Sequence, residues 1–295
     1  MPALSTVVSD ATPIEPAEYG LLSSATHVTE LSDHGINGID YETSECASTV
    51  HLEAICNSST QVSVVADSDG SLYRKYFPFD IVTEYSCSTM GTSPEEVENL
   101  VKEHAEACAQ KALEFEFWTG SLAKAVAESD DWDSGTDGAY PNRYLASSAA
   151  TDVTPTPGTG VRVKHAIALL EKALADCGCG SKGTIHLTRE VASVLNRNPK
   201  EGLLSTNLGT NIIAGVGYEG TGPDGTDPGG TEVWAYATGP VTVRLGDVVV
   251  TPGEKSQAIN IQDNTTKYYA QQPAAVTWDS CCHAAVLVDL SLDYA

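Results

Sequence analysis

The order of predicted elements constrains this chain more than any motif in it. An acidic, turn-rich first quarter precedes one long capped helix, a strand-helix-strand block at 160–218, and a run of strand signals from 232 to 290. This mixture of helix and strand signals predicts an α+β protein. At 295 residues the chain is long enough to bury the core of one large domain or of two modest ones.

The long helix is predicted from Ser93 to about Trp118, and it ends at Thr119-Gly120. Ser93 suits the N-cap and Pro94 the first helical position, while Glu96 lies three residues after the cap, which is the pattern of a capping box. The apolar face is predicted from residues at helical spacing, namely Val97, Val101, Ala105, Cys108, Ala112 and Phe115.

The block that follows alternates between helix and strand. A second helix is predicted from about Val163 to Asp176, a buried strand at 184–187, a short helix at 189–195 and a strand at 211–218. Residues 129–160 are acidic and rich in turn signals, so they form the predicted internal boundary of the chain.

The first quarter predicts extended structure with no core of its own. Residues 1–34 carry three prolines and little periodicity, which is typical of an extended arm. Alternating stretches at 48–55 and 61–66, separated by Asn57-Ser58-Ser59, predict a long β-hairpin, and 76–87 predicts a strand entering a sheet. A two-stranded ribbon is marginal in water, so the hairpin needs another surface to lie on.

The charge excludes one large class of function. The formal net charge is −24, from 40 acidic against 16 basic residues, and the first base in the chain is Arg74. Non-specific nucleic-acid binding is driven by basic side chains that displace counterions from phosphate, which this chain cannot supply. The sequence shows no secretory signal and no apolar run long enough to span a bilayer, so we expect a cytoplasmic protein with no membrane partner.

The eight cysteines are expected to be mostly reduced, buried thiols, because no export signal is evident. The pairs Cys177-Gly178-Cys179 and Cys281-Cys282 lack the two-residue gaps of a zinc knuckle, and a structural metal stays the lesser alternative. The cysteines are residues 46, 56, 87, 108, 177, 179, 281 and 282.

Each motif that resembles a catalytic or binding site lacks a feature that such a site requires. The glycines of 215–220 match a dinucleotide pattern, but 221–225 cannot begin the helix that the pattern requires. Ser121 and Lys124 match one element of penicillin-recognising enzymes, whose companion elements are absent. The acidic turn at 130–137 places Gly135 where a calcium loop needs a ligand. We therefore predict no catalytic residue, no metal site and no cofactor.

One catalytic alternative stays open. A cysteine-dependent or metal-dependent enzyme would need Cys281 or Cys282 beside a histidine in a pocket. If 282 and 283 lie in a strand, the side chains of Cys282 and His283 point to opposite faces and cannot contact each other.

Five stretches together resemble a known family. They are residues 114–125, 160–195, 208–220, 232–250 and 268–290. Their content and order resemble the major capsid protein of the Hong Kong 97 type, a fold shared by the coat proteins of tailed phages and by bacterial encapsulins. The likeness covers roughly residues 35–290 as a pattern of elements and includes no signature motif.

The resemblance implies a division of the chain into parts. Residues 1–34 would be the N-terminal arm and 35–74 an extended loop that overlaps a neighbouring subunit. Residues 75–139 would be a peripheral domain with a spine helix at 94–118, and 140–232 an axial domain. Residues 233–295 would be closing strands shared between the two domains.

The implied partners are copies of the chain in hexamers and pentamers, with scaffolding, portal and decoration proteins as further candidates. The shell would enclose DNA without sequence-specific binding. Since the first 73 residues contain no base, their neighbours must supply positive charge, and we expect assembly contacts at Arg74, Lys75, Arg162, Lys164 and Arg244. An encapsulin-like compartment, and a minor capsid, decoration or tail-tube protein, are the alternative functions.

Overall fold

The computed structural model describes most of the chain. The described residues are 17–25, 27–31, 38–42, 50–54, 57–65, 73–88, 93–129, 142–177, 183–195, 203–253, 255–260, 262–279 and 281–293. They form two six-stranded sheets, two two-stranded ribbons and several helices.

The strands are β1 (His27–Glu30), β2 (Ile39–Glu42), β3 (Val50–Ala54), β4 (Asn57–Val65), β5 (Tyr73–Tyr76), β6 (Phe79–Ser88), β7 (Thr151–Asp152), β8 (Thr184–Thr188), β9 (Leu204–Ser205), β10 (Asn211–Gly215), β11 (Glu232–Thr238), β12 (Val241–Leu245), β13 (Val249–Thr251), β14 (Ile259–Asn260), β15 (Thr265–Trp278) and β16 (His283–Asp289). The α-helices are α1 (Leu21–Ser24), α2 (Pro94–Thr119), α3 (Ser121–Ala127), α4 (Val163–Cys177), α5 (Arg189–Val194) and α6 (Lys255–Ala258), with 3-10 turns at Pro223–Gly225 and Leu290–Leu292.

The capping pattern of the long helix α2 is confirmed. The backbone N–H of Glu96 donates to the Ser93 hydroxyl at 3.2 Å, and the Glu96 carboxylate accepts from the Ser93 backbone N–H at 2.7 Å. The helix ends at Gly120, whose φ of 59° is left-handed; a Cβ there would lie 2.1 Å from the Tyr144 ring. Glycine is therefore required both by the backbone conformation and by the space.

The predicted apolar face of α2 is correct in its first half and wrong in its second. The buried row continues at intervals of four residues, through Val97, Val101, Ala105, Ala109, Leu113 and Phe117. Cys108 is exposed and Phe115 is 39% exposed. In its second half the helix also buries the adjacent row Gln110, Glu114 and Trp118, so the shift to a three-residue interval at Cys108 turns the predicted stripe away from the core.

The first six-stranded sheet is organised by the 14-residue strand β15. Strand β6 pairs with it antiparallel from Phe79↔Ala274 to Ser88↔Thr265, and β12, β13 and β14 also pair with it. The N-terminal half of α2 covers one face, where Val97, Val101 and Ala105 pack with Tyr268 and Ala270.

The second sheet has the order β7-β16-β11-β8-β10-β9. Strands β8 and β10 are parallel, and all five residues of β8 are buried. Helix α4 covers this sheet through Val163, Ala166, Ile167 and Leu170. The strand-helix-strand block predicted from the sequence is thus confirmed at the centre of this sheet. Strand β10 ends at Gly215 rather than 218, because the Tyr218 ring folds back over Gly215, where a Cβ would lie 2.6 Å from it.

The two sheets share one core. The chain passes between them from β6 to β7 through α2, and again directly from β11 to β12 and from β15 to β16. At the crossing, Phe117 and Trp118 of α2 pack with Tyr218, Tyr236 and Trp278, all of them buried. The C-terminal end of α2 therefore fixes the junction of the sheets.

The predicted hairpin is present as an antiparallel pair of β3 and β4, and β2 pairs antiparallel with β5. The turn assignment at Asn57-Ser58-Ser59 is wrong, since these residues begin β4. A run of residues with the composition of a turn is therefore compatible with a strand in this two-stranded ribbon. Within the described residues, β3 and β4 pair only with each other.

Candidate assembly surfaces

The five predicted contact residues do not form one cluster. Arg74 and Lys75 lie on β5, in register with Tyr41 and Asp40 of β2. Arg244 lies on β12 and is half-buried, and its Nη1 donates to the Thr277 hydroxyl at 2.8 Å. Arg244 is therefore engaged within the subunit.

Arg162 and Lys164 are different because both side chains are exposed at the start of α4. Neither makes an ion pair or a side-chain hydrogen bond with the described residues. Two unpaired cations on a chain with a net charge of −24 are suited to an acidic surface on another molecule.

A groove of about 610 Å³ begins beside Lys164. Its walls are the outer face of α4, including Ala168 and Ala175, and the turn 206–208 between β9 and β10. Leu208 at the tip of this turn is 81% exposed. We call this feature the α4 groove. Sequence patterns gave no sign of it, because its walls lie about 40 residues apart along the chain.

The turn of the α4 groove is held by one carboxylate. The Thr210 hydroxyl donates to Glu171 at 2.8 Å, and the Thr206 hydroxyl donates to the other oxygen of the same carboxylate. The Leu208 side chain is thus presented to solvent by a constrained turn. Together with Ala168 and Ala175 in the same groove, Leu208 forms an exposed apolar surface of the kind that another protein covers.

The first sheet carries a second apolar surface. Val82 and Val249 are each 55% exposed and flank Gln271 in register on either side. A shallow groove of about 330 Å³ extends from there to Phe79 and Pro273. The opposite face of these strands is buried under α2, so this face is the unpartnered one among the described residues.

Residues 17–25, which we call the N-terminal clasp, lie across α2 and β10. Glu114 of α2 accepts hydrogen bonds from the backbone N–H of Leu21 at 2.7 Å and of Gly217 at 2.9 Å. The Ala214 N–H donates to the Tyr19 carbonyl at 2.7 Å, and Arg189 donates to the Glu18 carbonyl at 3.0 Å. The clasp thereby joins the long helix to the second sheet.

Close packing explains why the clasp needs a glycine. A Cβ on Gly20 would lie 1.8 Å from the Gln110 amide nitrogen, on the face of α2 that carries Glu114. Burial raises the pKa of the Glu114 carboxyl above its ordinary value, although the N–H groups of Leu21 and Gly217 act in the opposite direction. Helical periodicity alone would place a glutamate on the solvent face, so the sequence reasoning missed this residue.

Two histidines are buried at the junction of the sheets. His186 lies between the Tyr218 hydroxyl at 3.0 Å and the Thr238 hydroxyl at 2.9 Å. Thr238 donates its own proton to the Gly239 carbonyl, so it accepts from His186 Nε2–H, and Nδ1 accepts from Tyr218. This arrangement satisfies the neutral imidazole. Burial, aided by the neighbouring His283, lowers the pKa of His186 to about 3.

His283 is likewise held neutral. Its Nε2–H donates to the Leu145 carbonyl at 2.8 Å, and its ring packs edge-on against Trp278. Burial lowers the pKa of His283 to about 4. The ring is oriented by these core contacts, and the neighbouring Cys282, which lines the same pocket, is disulfide-bonded.

The expectation of reduced thiols is wrong for three of the five cysteines that the structure describes. Cys177 and Cys282 form a disulfide, with their Cα atoms 5.6 Å apart, and Cys281 is also disulfide-bonded. Cys87 and Cys108 are free. Cys177 and Cys282 are 105 residues apart in sequence, and a spacing argument cannot detect a pair that only the tertiary fold brings together.

Two other motifs considered in the sequence are the Ser121 and Lys124 pair and the acidic turn at 130–137. Lys124 lies over the Tyr144 ring at 4.7 Å, and the Ser121 hydroxyl pairs with that of Thr119. The acidic turn at 130–137 lies outside the described residues. Within the described ranges no group of three or more His, Cys, Asp or Glu side chains is arranged to hold a metal ion, and no helix has the length and apolar character needed to cross a bilayer.

No family model matches the chain, and no curated protein resembles it in sequence. Solved structures nevertheless share its fold over nearly its whole length. The capsid of the empty GTA particle gives a TM-score of 0.55 at 10% identity and covers 97% of this chain and 95% of that one. Gordonia phage Cozz gives 0.52 at 12% identity over 97% and 91%, and the capsid of Ralstonia phage GP4 gives 0.51 at 9% over 98% and 96%. The chain therefore has the α+β fold of these phage capsid structures, as the resemblance in its sequence predicted.

Proposed function

We propose that this chain is a structural subunit that assembles with copies of itself into the icosahedral shell of a tailed phage. One observation carries the proposal: the likeness to the GTA particle capsid extends over 97% of this chain and 95% of the other. A shared fold alone does not fix a function, but a likeness that leaves almost no part of either chain unmatched favours a shared architectural role.

The parts of the subunit follow from the same proposal. The arm would be 1–34, the extended loop 35–74, the peripheral domain 75–139 and the axial domain 140–232, with 233–295 shared between the domains. In support, β6 belongs to the first sheet, which the N-terminal half of α2 covers. Strands β8 and β10 belong to the second sheet, which α4 covers, and the strands after 232 enter both sheets.

Three parts of the subunit surface support assembly with neighbouring copies that would cover them. The hairpin β3–β4 pairs only with itself among the described residues, the α4 groove exposes Leu208, and the outer face of the first sheet exposes Val82 and Val249. Burying the apolar or backbone groups of each surface against another subunit would stabilise an assembly. Closed symmetric assembly buries the same surfaces on every subunit.

The charge suits a container for nucleic acid. A wall built from subunits with a formal charge of −24 repels DNA, so the packed genome would not adhere to it. Contacts between subunits would instead place basic side chains against acidic ones, and the exposed, unpaired Arg162 and Lys164 are the best placed of the five candidates.

The experiment reverses those two charges. The double variant R162E/K164E is expected to lower the yield of assembled shells about tenfold or more, because a loss of 1.4 kcal/mol per contact already changes an association constant tenfold. The matched control is K102E/K111E, which makes the same change of charge at exposed positions on α2. Sedimentation and electron microscopy measure the yield. Shells of R162E/K164E in wild-type yield and with wild-type salt dependence would remove these residues from the assembly contacts.

A further inference from the structure

The disulfide between Cys177 and Cys282 joins parts of the fold that are otherwise held only by packing. Cys177 is the last residue of α4, and Cys282 lies in the turn by which the chain passes from β15 to β16. The bond therefore ties the helix over the second sheet to the point where the two sheets meet. A Cα separation of 5.6 Å is within the range of about 4.4–6.8 Å found for disulfides.

The fold around this pair is complete without the covalent bond. Val163, Ala166, Ile167 and Leu170 already bury one face of α4 against the strands of the second sheet. Cys108 is an exposed free thiol on α2. The packing of α4 already places Cys177 beside Cys282, so the bond can form on the folded subunit.

The two sulfurs differ in access. Cys177 is half-buried, whereas Cys282 is only 5% exposed. A pocket of about 270 Å³ is lined by Cys177, Cys281 and Cys282 and by residues of the α4 face and of β7. A small thiol reagent can therefore reach Cys177 first, and Cys282 is placed to attack the product from the protein side.

We propose that Cys177 and Cys282 form a redox-set lock that is closed on the folded subunit by a small-molecule disulfide of the glutathione type. The Cys177 thiolate attacks the reagent disulfide and releases one small thiol, which leaves a mixed disulfide on Cys177. The Cys282 thiolate then attacks the Cys177 sulfur and releases the second small thiol. In total, two protein thiols are oxidised to one disulfide and one reagent disulfide is reduced to two thiols. This inference does not rest on the proposed function.

The test compares the full chain purified under reduction with the same protein equilibrated against oxidised glutathione. Peptide mapping of the wild type is expected to show the 177–282 crosslink, and the thermal midpoint to rise by about 10 °C, because the bond closes a loop of 105 residues. The part of the rise that comes from the 177–282 bond should persist in C281S and in C87S/C108S. It should be lost in C177A and in C282A, which keep the bond made by Cys281.

The contrary outcomes are equally definite. Absence of the crosslink after glutathione treatment, a crosslink from Cys177 to Cys281, or an unchanged midpoint would each overturn the lock. Zinc retained by the reduced protein and released by a thiol-blocking reagent would also overturn it, since the cysteines would then be metal ligands. Because the mapping uses the wild-type chain, the result does not depend on the variants folding.

Discussion

Acidification from pH 7 to pH 4 is expected to cost the folded chain on the order of 3 kcal/mol at each of His186 and His283. Their folded pKa values of about 3 and about 4 lie below the unfolded value of 6.5, so the unfolded chain binds more protons throughout this range. Stability therefore falls as the pH drops below 6.5, and the loss is complete once the pH is below the folded values.

The physical reason lies in the hydrogen bonds of the neutral rings. His186 donates to Thr238 and accepts from Tyr218, and His283 donates to the Leu145 carbonyl. A second proton on His186 would remove the acceptor of the Tyr218 hydroxyl and place a charge among Phe117 and other aromatic side chains. Burial of that charge has no compensating anion close by in the described core.

Urea unfolding at several pH values measures the slope, and the variants H186Q and H283Q assign it. Each variant is less stable than the wild type at neutral pH. Below pH 6.5, each is expected to take up about one proton fewer on unfolding than the wild type does, so its stability changes less steeply with pH. H104Q, at an exposed position on α2, is the matched control and should keep the wild-type slope. Nitrogen chemical shifts give a direct reading: imidazolium signals from His186 above pH 5 would contradict the assignment.

Replacing Glu114 with alanine is expected to lower the free energy of unfolding by about 2–4 kcal/mol and to release the N-terminal clasp. The substitution leaves the buried N–H groups of Leu21 and Gly217 without an acceptor, at a cost of about 1–3 kcal/mol each. Hydrogen exchange of residues 17–25 should rise sharply, because Leu21 and its neighbours lose the contact that holds them on α2.

Glu116 is the matched control for Glu114. It lies on the same helix and also accepts from two backbone N–H groups, those of Leu122 at 2.7 Å and Ala123 at 2.9 Å. E116A should destabilise the start of α3 and leave the exchange of residues 17–25 unchanged. The variant E114Q should lie between the wild type and E114A, since an amide offers one acceptor oxygen where the carboxylate offers two.

The pH dependence of the clasp has a defined sign. Burial raises the pKa of Glu114, so its protonated form is favoured in the folded state relative to the unfolded chain. Its contribution to stability therefore falls as the pH rises from the unfolded pKa through the raised folded value. E114Q should abolish this component, and equal exchange of residues 17–25 in E114A and E116A would contradict the role of Glu114.

The parts of the fold that the sequence predicted are those governed by local signals. Ser93, Pro94 and Glu96 determine where α2 begins within one turn of chain, and Gly120 determines where it ends. The helix α4 and strands β8 and β10 follow from short periodic runs bounded by turns. The hairpin was predicted for the same reason, but its turn was misplaced because Asn57–Ser59 carries a turn composition within a strand.

The rest depends on contacts between residues far apart in sequence. Which row of α2 faces the sheets is decided by packing, so Cys108 and Phe115 were assigned to the wrong face. Glu114 is buried only because Leu21 and Gly217 approach it from 93 and 103 residues away. The assembly role of Arg162 and Lys164 stays a prediction. The α4 groove beside Lys164 exists only once the turn 206–208 has folded against the helix, so no sequence pattern indicates it.

Our proposal that this polypeptide builds a closed shell is tested most directly by electron microscopy of the purified chain. Across a range of salt and pH, with sedimentation to quantify the species, the account predicts closed icosahedral particles in which hairpin β3–β4 and the α4 groove are covered by neighbouring subunits. A chain that stays monomeric in every condition, or that encloses a ligand in a deep pocket instead of assembling, would contradict it.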